Sequence, residues 1–310
     1  RIRAKYQNGR YDLRISVLPT VYGENVVIRI SGGESLTAKI ESVGFEDDDL
    51  DMMRAALSAS QGMFLVTGPT GSGKTTTLYA CLDYLNKITH NIITLEDPVE
   101  KEIPLIRQVN INDKVGLTFG TGLRSVLRQD PDIVMVGEIR DQETAQLAIR
   151  AALTGHYVLS TVHTNDCPST ITRIVDIGVK PFLVSSAING ILAQRLVRRV
   201  CPHCAESFKP DPKVLQLLDL PYDHDYKKGK GCDHCRDSGY LGRIPIFELM
   251  ILNREIRDAI AEDATADELR HLALRSGMKT IIKDGRAKIL HGFTTPEEVL
   301  SVTTLLSENA

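Results

Sequence analysis

Residues 63–76 read Met63-Phe-Leu-Val-Thr67-Gly68-Pro-Thr70-Gly71-Ser72-Gly73-Lys74-Thr75-Thr76. The apolar run Met63–Thr67 predicts a short buried strand, and Thr75–Asn86 predicts a helix. Between them Gly68–Thr75 is a full G-x-x-x-x-G-K-T match, set between a strand and a helix as that motif requires. Gly71 and Gly73 let the backbone curl so that its N–H groups face an anion, at the positive end of the following helix. Lys74 would reach the β- and γ-phosphates and the Thr75 hydroxyl would hold Mg2+. Gly68, Thr70, Ser72 and Thr76 belong to the same cradle. The stretch predicts a nucleoside triphosphate site.

Outward from it, helices and strands alternate. Helix patterns cover residues 47–60 and 141–154, and buried-strand patterns cover 91–95, 133–136 and 157–161. Such alternation predicts an α/β fold with a parallel sheet covered by helices on both faces. Ligands on these sheets bind at the carboxyl ends of the strands. Before this block, residues 1–31 read as β, with Leu13, Ile15 and Val17 alternating with Asp12, Arg14 and Ser16. Asn8-Gly9 predicts a hairpin turn, and a second turn at Tyr22-Gly23 precedes a strand at 25–30. Thirty residues make a small core, and the chain opens on Arg1, so this segment reads as the C-terminal part of an N-terminal domain in an excised fragment. A linker at 32–40 follows, with Ser31-Gly32-Gly33 as a hinge. The catalytic domain is then 41–200, a cysteine-bearing element 201–243 and a helical region 244–310. Thr265-Ala-Asp-Glu268 and Thr295-Pro-Glu-Glu298 both mark helix starts.

Hydrolysis also needs a carboxylate to orient or deprotonate water and groups that stabilise charge. Thr94-Leu-Glu96-Asp97-Pro-Val-Glu100 places three carboxylates just past a buried strand. Asp130-Pro-Asp-Ile-Val-Met-Val-Gly137-Glu138 has the form of an apolar strand delivering an acidic residue beside magnesium, with Gly137 where many phosphate-loop enzymes carry Asp. Glu138 is left to serve Mg2+ or the nucleophile. Ser160-Thr-Val-His163-Thr-Asn165 follows a further strand, so His163 could sense the γ-phosphate or pair with Glu138.

Cys201-Pro-His-Cys204 and Cys232-Asp-His-Cys235 are separated by residues 205–231. Two C-x-x-C knuckles at this spacing predict one closed tetrahedral zinc site with four thiolate ligands. His203 and His234 read as spectators, and Cys81 and Cys167 as ordinary thiols.

The chain has 310 residues, 37 Lys+Arg against 40 Asp+Glu, and a formal net charge of -3. Near neutrality and the absence of Trp argue against a nucleic-acid translocase, whose surface would carry a basic stripe and stacking platforms. The basic runs are short, 195–199 and 227–230. No stretch reaches the ~18 apolar residues of a membrane span.

From Gly68 to Asn165 the four motifs, in order, resemble those of the secretion ATPases that power type II secretion and type IV pilus machines. The likeness extends through the cysteine pairs and C-terminal helices. It implies a RecA-like core that hydrolyses ATP with Mg2+, assembled as a homo-hexamer in the cytoplasm. The ring would sit peripherally at the inner membrane, held by a platform protein and making no direct membrane insertion. In that family the acidic turn supplies the catalytic carboxylate, which maps to Glu100 with Glu96 close by. The Gly-Glu form at residues 137–138 is itself the family pattern. Family arginines that act on nucleotide, some across the subunit boundary, match Arg14, Arg29, Arg124 and Arg128. Retraction ATPases generally lack the tetracysteine element, so the resemblance is to an assembly motor. General similarity favours pilus extension over type II secretion.

Overall fold

The computed structural model describes residues 2–6, 9–32 and 39–307. The turn residue Asn8 and most of the expected linker, residues 33–38, lie outside the described residues. Three strands open the chain: β1 (Ile2–Tyr6), β2 (Gly9–Thr20) and β3 (Gly23–Gly32), paired antiparallel in that order. Their register puts Leu13 opposite Ile30, Ile15 opposite Ile28 and Val17 opposite Val26, so the pairs Ile15–Ile28 and Val17–Val26 share one face.

The next segment builds the main sheet. Its elements are α1 (Asp47–Leu57), β4 (Gly62–Thr67), α2 (Lys74–Leu85), β5 (Ile92–Glu96), β6 (Arg107–Asn110), α3 (Phe119–Val126) and β7 (Ile133–Val136). Then come α4 (Gln142–Leu153), β8 (Tyr157–Val162), α5 (Cys167–Asp176), α6 (Pro181–Ala187) and β9 (Ile188–Val200). β4, β5, β7 and β8 are buried along their whole length. Successive side chains explain why: Met63 and Leu65 enter one apolar core, Phe64 and Val66 the other. Each fully buried Phe or Leu contributes about 1.5–3 kcal/mol. A strand apolar on both faces belongs in the middle of a helix-covered parallel sheet.

Beyond β9 lie a short ribbon, β10 (Ala205–Phe208) and β11 (Tyr226–Gly229), and between them α7 (Pro212–Leu217). β12 (Tyr240–Ile251) returns to the main sheet, followed by α8 (Arg254–Ala261), α9 (Ala266–Arg275), α10 (Ile281–Leu290) and α11 (Pro296–Ser307). The seven-stranded order is β12-β9-β4-β8-β7-β5-β6, and every pairing is parallel except β9 with β12. The sheet is therefore mixed: residues 244–251, expected at the start of a helical region, form its antiparallel edge. The run Ile244-Pro-Ile-Phe-Glu-Leu-Met-Ile251 is apolar enough to be buried, and an edge strand tolerates Pro245 because one side lacks a partner. The expected helix starts are present, with Thr265 and Glu268 closing a capping box and Thr295 accepting from the Glu298 N–H. Among the described residues no helix is long and apolar enough to cross a membrane.

Candidate active site and metal centre

Because β4, β8, β7 and β5 are parallel neighbours, the loops that leave them emerge at one edge. Those loops carry Lys74, His163, Glu138 and Glu100 respectively. Topology thus gathers the four sequence motifs without any two being adjacent in the chain.

The phosphate loop is wound as its glycines permit. Gly73 has φ +90, and a Cβ there would meet the Gln194 amide at 2.6 Å; at Gly68 a Cβ would meet the Gln194 carbonyl at 2.4 Å. Gln194, on β9, braces the loop from below: it accepts from Thr77 Oγ1 at 2.7 Å and donates to the Ser72 carbonyl at 2.6 Å. Thr70 and Thr75 are exposed at the rim and Thr76 is half-buried. The Lys74 ammonium donates to the Gly68 and Pro69 carbonyls at 2.7 and 3.1 Å. Burial pushes its pKa down to about 8, with the Glu138 charge opposing and Arg195 adding to the fall. The Ser72 hydroxyl is buried without a hydrogen-bond partner among the described residues. A loop that half-buries an ammonium beside a buried hydroxyl with no partner among the described residues is suited to an anion that serves both.

Glu138 follows β7 and is held from two sides. Arg140 Nη2 lies 2.5 Å from Oε1, and His163 Nε2 lies 3.5 Å from Oε2. Burial lowers the His163 pKa, Lys74 lowers it further, and Glu138 pulls it up. Gly137 has a packing reason: a Cβ there would come within 3.1 Å of the Leu95 carbonyl, to which the Gly137 N–H already donates at 2.8 Å. An Asp side chain at this point would press on β5. The His163 loop is tied to the end of β4 by Thr164, whose hydroxyl meets that of Thr67 at 2.6 Å.

The two glutamates of the acidic turn have different surroundings. Glu96 is buried at 4% exposure and accepts from Tyr79 Oη at 2.5 Å, Thr94 Oγ1 at 2.6 Å and Gln108 Nε2 at 3.0 Å. Three donors thus hold the Glu96 carboxylate inside the protein, where it was expected close to the chemistry beside Glu100. Glu100 is half-buried in the loop beyond, and its N–H donates to Tyr79 Oη at 3.2 Å. Val99 and Ile103 are fastened through their N–H groups to Asn110 and Gln108 of β6.

The arginines expected at nucleotide are placed as follows. Arg124 of α3 pairs with Glu143 of α4 at 2.8 Å, and Arg128, in the turn just past α3, donates to the Arg124 carbonyl at 2.8 Å; both are exposed. Arg14 and Arg29 stand directly opposite each other on β2 and β3, and their side chains lie outside the described residues. Sequence reasoning missed Tyr79, Gln194 and Arg195. Arg195 is buried at 6% exposure and donates to the Asn165 side chain at 3.0 Å, and its Nε has no partner among the described residues. The signal for the last two was two consecutive polar residues inside the apolar run 191–197.

The four cysteines converge. Their sulfurs lie within 4.8 Å of one another, with Cys201–Cys232, Cys204–Cys235 and Cys232–Cys235 at 3.9, 3.8 and 3.7 Å. A tetrahedron with arms of ~2.3 Å, the zinc–sulfur distance, has edges of about 3.8 Å. A disulfide would bring two sulfurs to ~2.05 Å. His203 and His234 stack on each other, centroids 4.0 Å apart, and stay outside the thiol group.

A family model described as Type II/IV secretion system protein matches residues 1–301. The chain belongs to that family. Among curated relatives of this type II/IV secretion family protein, it is 48% identical to the type IV pilus assembly ATPase PilB of Thermus thermophilus, over 97% of this chain and 34% of that one. It is 46% identical to the type II secretion system protein E of Pseudomonas aeruginosa, over 98% of this chain and 61% of that one. The chain thus spans between about a third and three fifths of these relatives. Among solved structures it resembles the pilus retraction motor PilT with bound ADP, at a TM-score of 0.70 and 28% identity, covering 97% of this chain and 76% of PilT. The Legionella pneumophila ATPase DotB, at 0.71 and 21% identity over 100% and 76%, shares the fold.

Proposed function

We propose that this chain is the nucleotide-hydrolysing part of a motor that drives assembly of a type IV pilus, or of the related type II secretion filament, by splitting ATP. The observation that carries the reading is the meeting of four loops at the carboxyl edge of β4, β5, β7 and β8. ATP would lie with its phosphates over residues 68–76, and Mg2+ would be held by Thr75 and by Glu138, directly or through water. Magnesium would neutralise charge on the phosphates. Glu100 orients the attacking water and accepts its proton, while Lys74 holds phosphate charge. His163 fixes the direction of the Glu138 carboxylate. Arginines stay charged and fork two N–H groups toward phosphate. Arg14, Arg29, Arg124 and Arg128 are the candidates to complete the site, from within the chain or across a ring of six copies.

Cys201, Cys204, Cys232 and Cys235 would hold one structural Zn2+, as thiolates in a closed set that leaves no open position. The platform protein at the inner membrane and the cytoplasmic setting are carried from the family resemblance. Identities of 48% to a pilus ATPase and 46% to a secretion ATPase support both machines almost equally. The test is phosphate release from ATP by the purified protein. Turnover that Lys74→Ala abolishes supports the reading, and a wild-type protein that binds ATP without releasing phosphate contradicts it. Metal analysis should find one zinc per chain.

A further inference from the structure

Tyr79 sits on α2, five residues beyond Lys74, which is about 7.5 Å along the helix at 1.5 Å per residue. Its ring is fully buried, and its hydroxyl bonds both Glu96 and the Glu100 backbone. One side donates to Glu96 Oε2 at 2.5 Å; the other accepts the Glu100 N–H at 3.2 Å. The direction of these bonds follows from chemistry. An ionised carboxylate accepts only, so the hydroxyl proton goes to Glu96 and a lone pair is left for the Glu100 N–H. Thr94 and Gln108 donate to the same carboxylate and hold it for this task. Gln108 also donates to the Lys101 carbonyl at 3.0 Å, so the residue after Glu100 is fastened to the same centre.

We propose that Tyr79 is the positioning residue for Glu100: its hydroxyl ties the backbone of the water-activating carboxylate to the helix whose first residues hold the phosphates. This rests on the reading that Glu100 acts on the attacking water. Asn110 and Gln108 hold the loop at Val99, Lys101 and Ile103 from β6, and the Tyr79 hydroxyl adds a tie from α2 at Glu100 itself. A hydroxyl borne by the phosphate-binding helix sets its distance from the γ-phosphate. Misplacement of a catalytic group by about 1 Å costs up to roughly a hundredfold in rate. A hydroxyl that merely satisfied a buried Glu96 would act on stability alone.

The test compares Tyr79→Phe, Glu100→Gln and the double variant in the full-length assembled protein, measuring kcat, KM for ATP, ADP affinity and thermal melting. Tyr79→Phe is expected to lower kcat by between about ten- and a hundredfold, with ADP affinity held. In the Glu100→Gln background the same change should cost nothing further, because the group it positions is gone. Full turnover in folded Tyr79→Phe overturns the proposal, as does a loss that multiplies with that of Glu100→Gln. If Glu100→Gln itself keeps wild-type kcat, the catalytic reading of Glu100 fails instead, and the two failures are told apart. Should Tyr79→Phe not fold, Glu96→Gln decides. This near-isosteric change weakens the acceptor that orients the Tyr79 proton. Loss of kcat at constant ADP affinity supports the proposal, and full turnover overturns it.

Discussion

Lys74, Glu100, Glu138 and His163 hang from four loops, each launched by a strand whose residues are all buried. Cys201, Cys204, Cys232 and Cys235 hang from two knuckles beside a ribbon of two four-residue strands. The cluster at the knuckles consists of the cysteines alone, while Tyr226 of the ribbon and Leu215, Leu218 and Leu220 reach the main core. In the first region position is supplied by the apolar core beneath, so the polar residues are free to do chemistry. In the second the polar residues supply the position, and a bound metal would take the place of a core. A side chain can therefore be removed from the nucleotide edge with the fold intact, whereas the thiol element should be all or none.

The largest effect expected from this contrast is at the thiols. Replacing Cys204 and Cys235 with Ser should abolish zinc binding, whose apparent contribution in small structural sites is about 10–16 kcal/mol. Limited proteolysis should then cut within residues 201–239 while ADP affinity is retained. Retained protection without metal would break the contrast.

A smaller effect is expected where core and chemistry touch. Gly137→Asp crowds the Leu95 carbonyl and should destabilise the protein by about 1–3 kcal/mol, read as a lower melting temperature. An unchanged melting temperature would mean that β5 and β7 yield more easily than their packing implies.

The pH dependence of binding comes next. Burial lowers the Lys74 pKa to about 8, so its charged, phosphate-binding form is lost as pH rises through that value. ADP affinity should be flat below pH 7 and fall about tenfold by pH 9, one unit past the midpoint. Lys74→Gln should remove the dependence. Affinity that stays level to pH 9 in the wild type would contradict it.

The smallest effect concerns a helix that carries no site residue. Asp141 caps α4 by accepting from the Thr144 N–H at 2.9 Å and its hydroxyl at 3.0 Å. Asp141→Ala should cost about 1 kcal/mol in denaturant unfolding and leave turnover alone. A change in kcat would show that α4 is coupled to the nucleotide edge.

What could be read beforehand follows the same division. Gly68–Thr75 and the paired C-x-x-C knuckles were legible because backbone curling and metal ligation demand particular residue types at fixed spacing. The buried strands of the sheet were legible because apolar runs between helices have few other uses. β12 was harder, since Ile244–Ile251 is separated from the sheet by the thiol element and its partner β9 cannot be named from local pattern. The different surroundings of Glu96 and Glu100 were illegible for another reason. Glu96 ends the buried strand β5 and Glu100 lies in the loop beyond, and no local pattern shows that Tyr79, Thr94 and Gln108 would all face the first. Tyr79 itself looks like any aromatic on a buried helix face until its hydroxyl is seen to bond both Glu96 and the Glu100 backbone.

The central claim is that one glutamate of that turn does chemistry while the other holds the turn in place. Single-turnover phosphate release, measured side by side for Glu100→Gln and Glu96→Gln with ATP affinity as the control, tests it most directly. The account predicts that Glu100→Gln binds ATP normally and loses at least about a hundredfold in the chemical step, and that Glu96→Gln loses distinctly less. Near-wild-type release by Glu100→Gln, or a larger loss from Glu96→Gln than from Glu100→Gln, would contradict it.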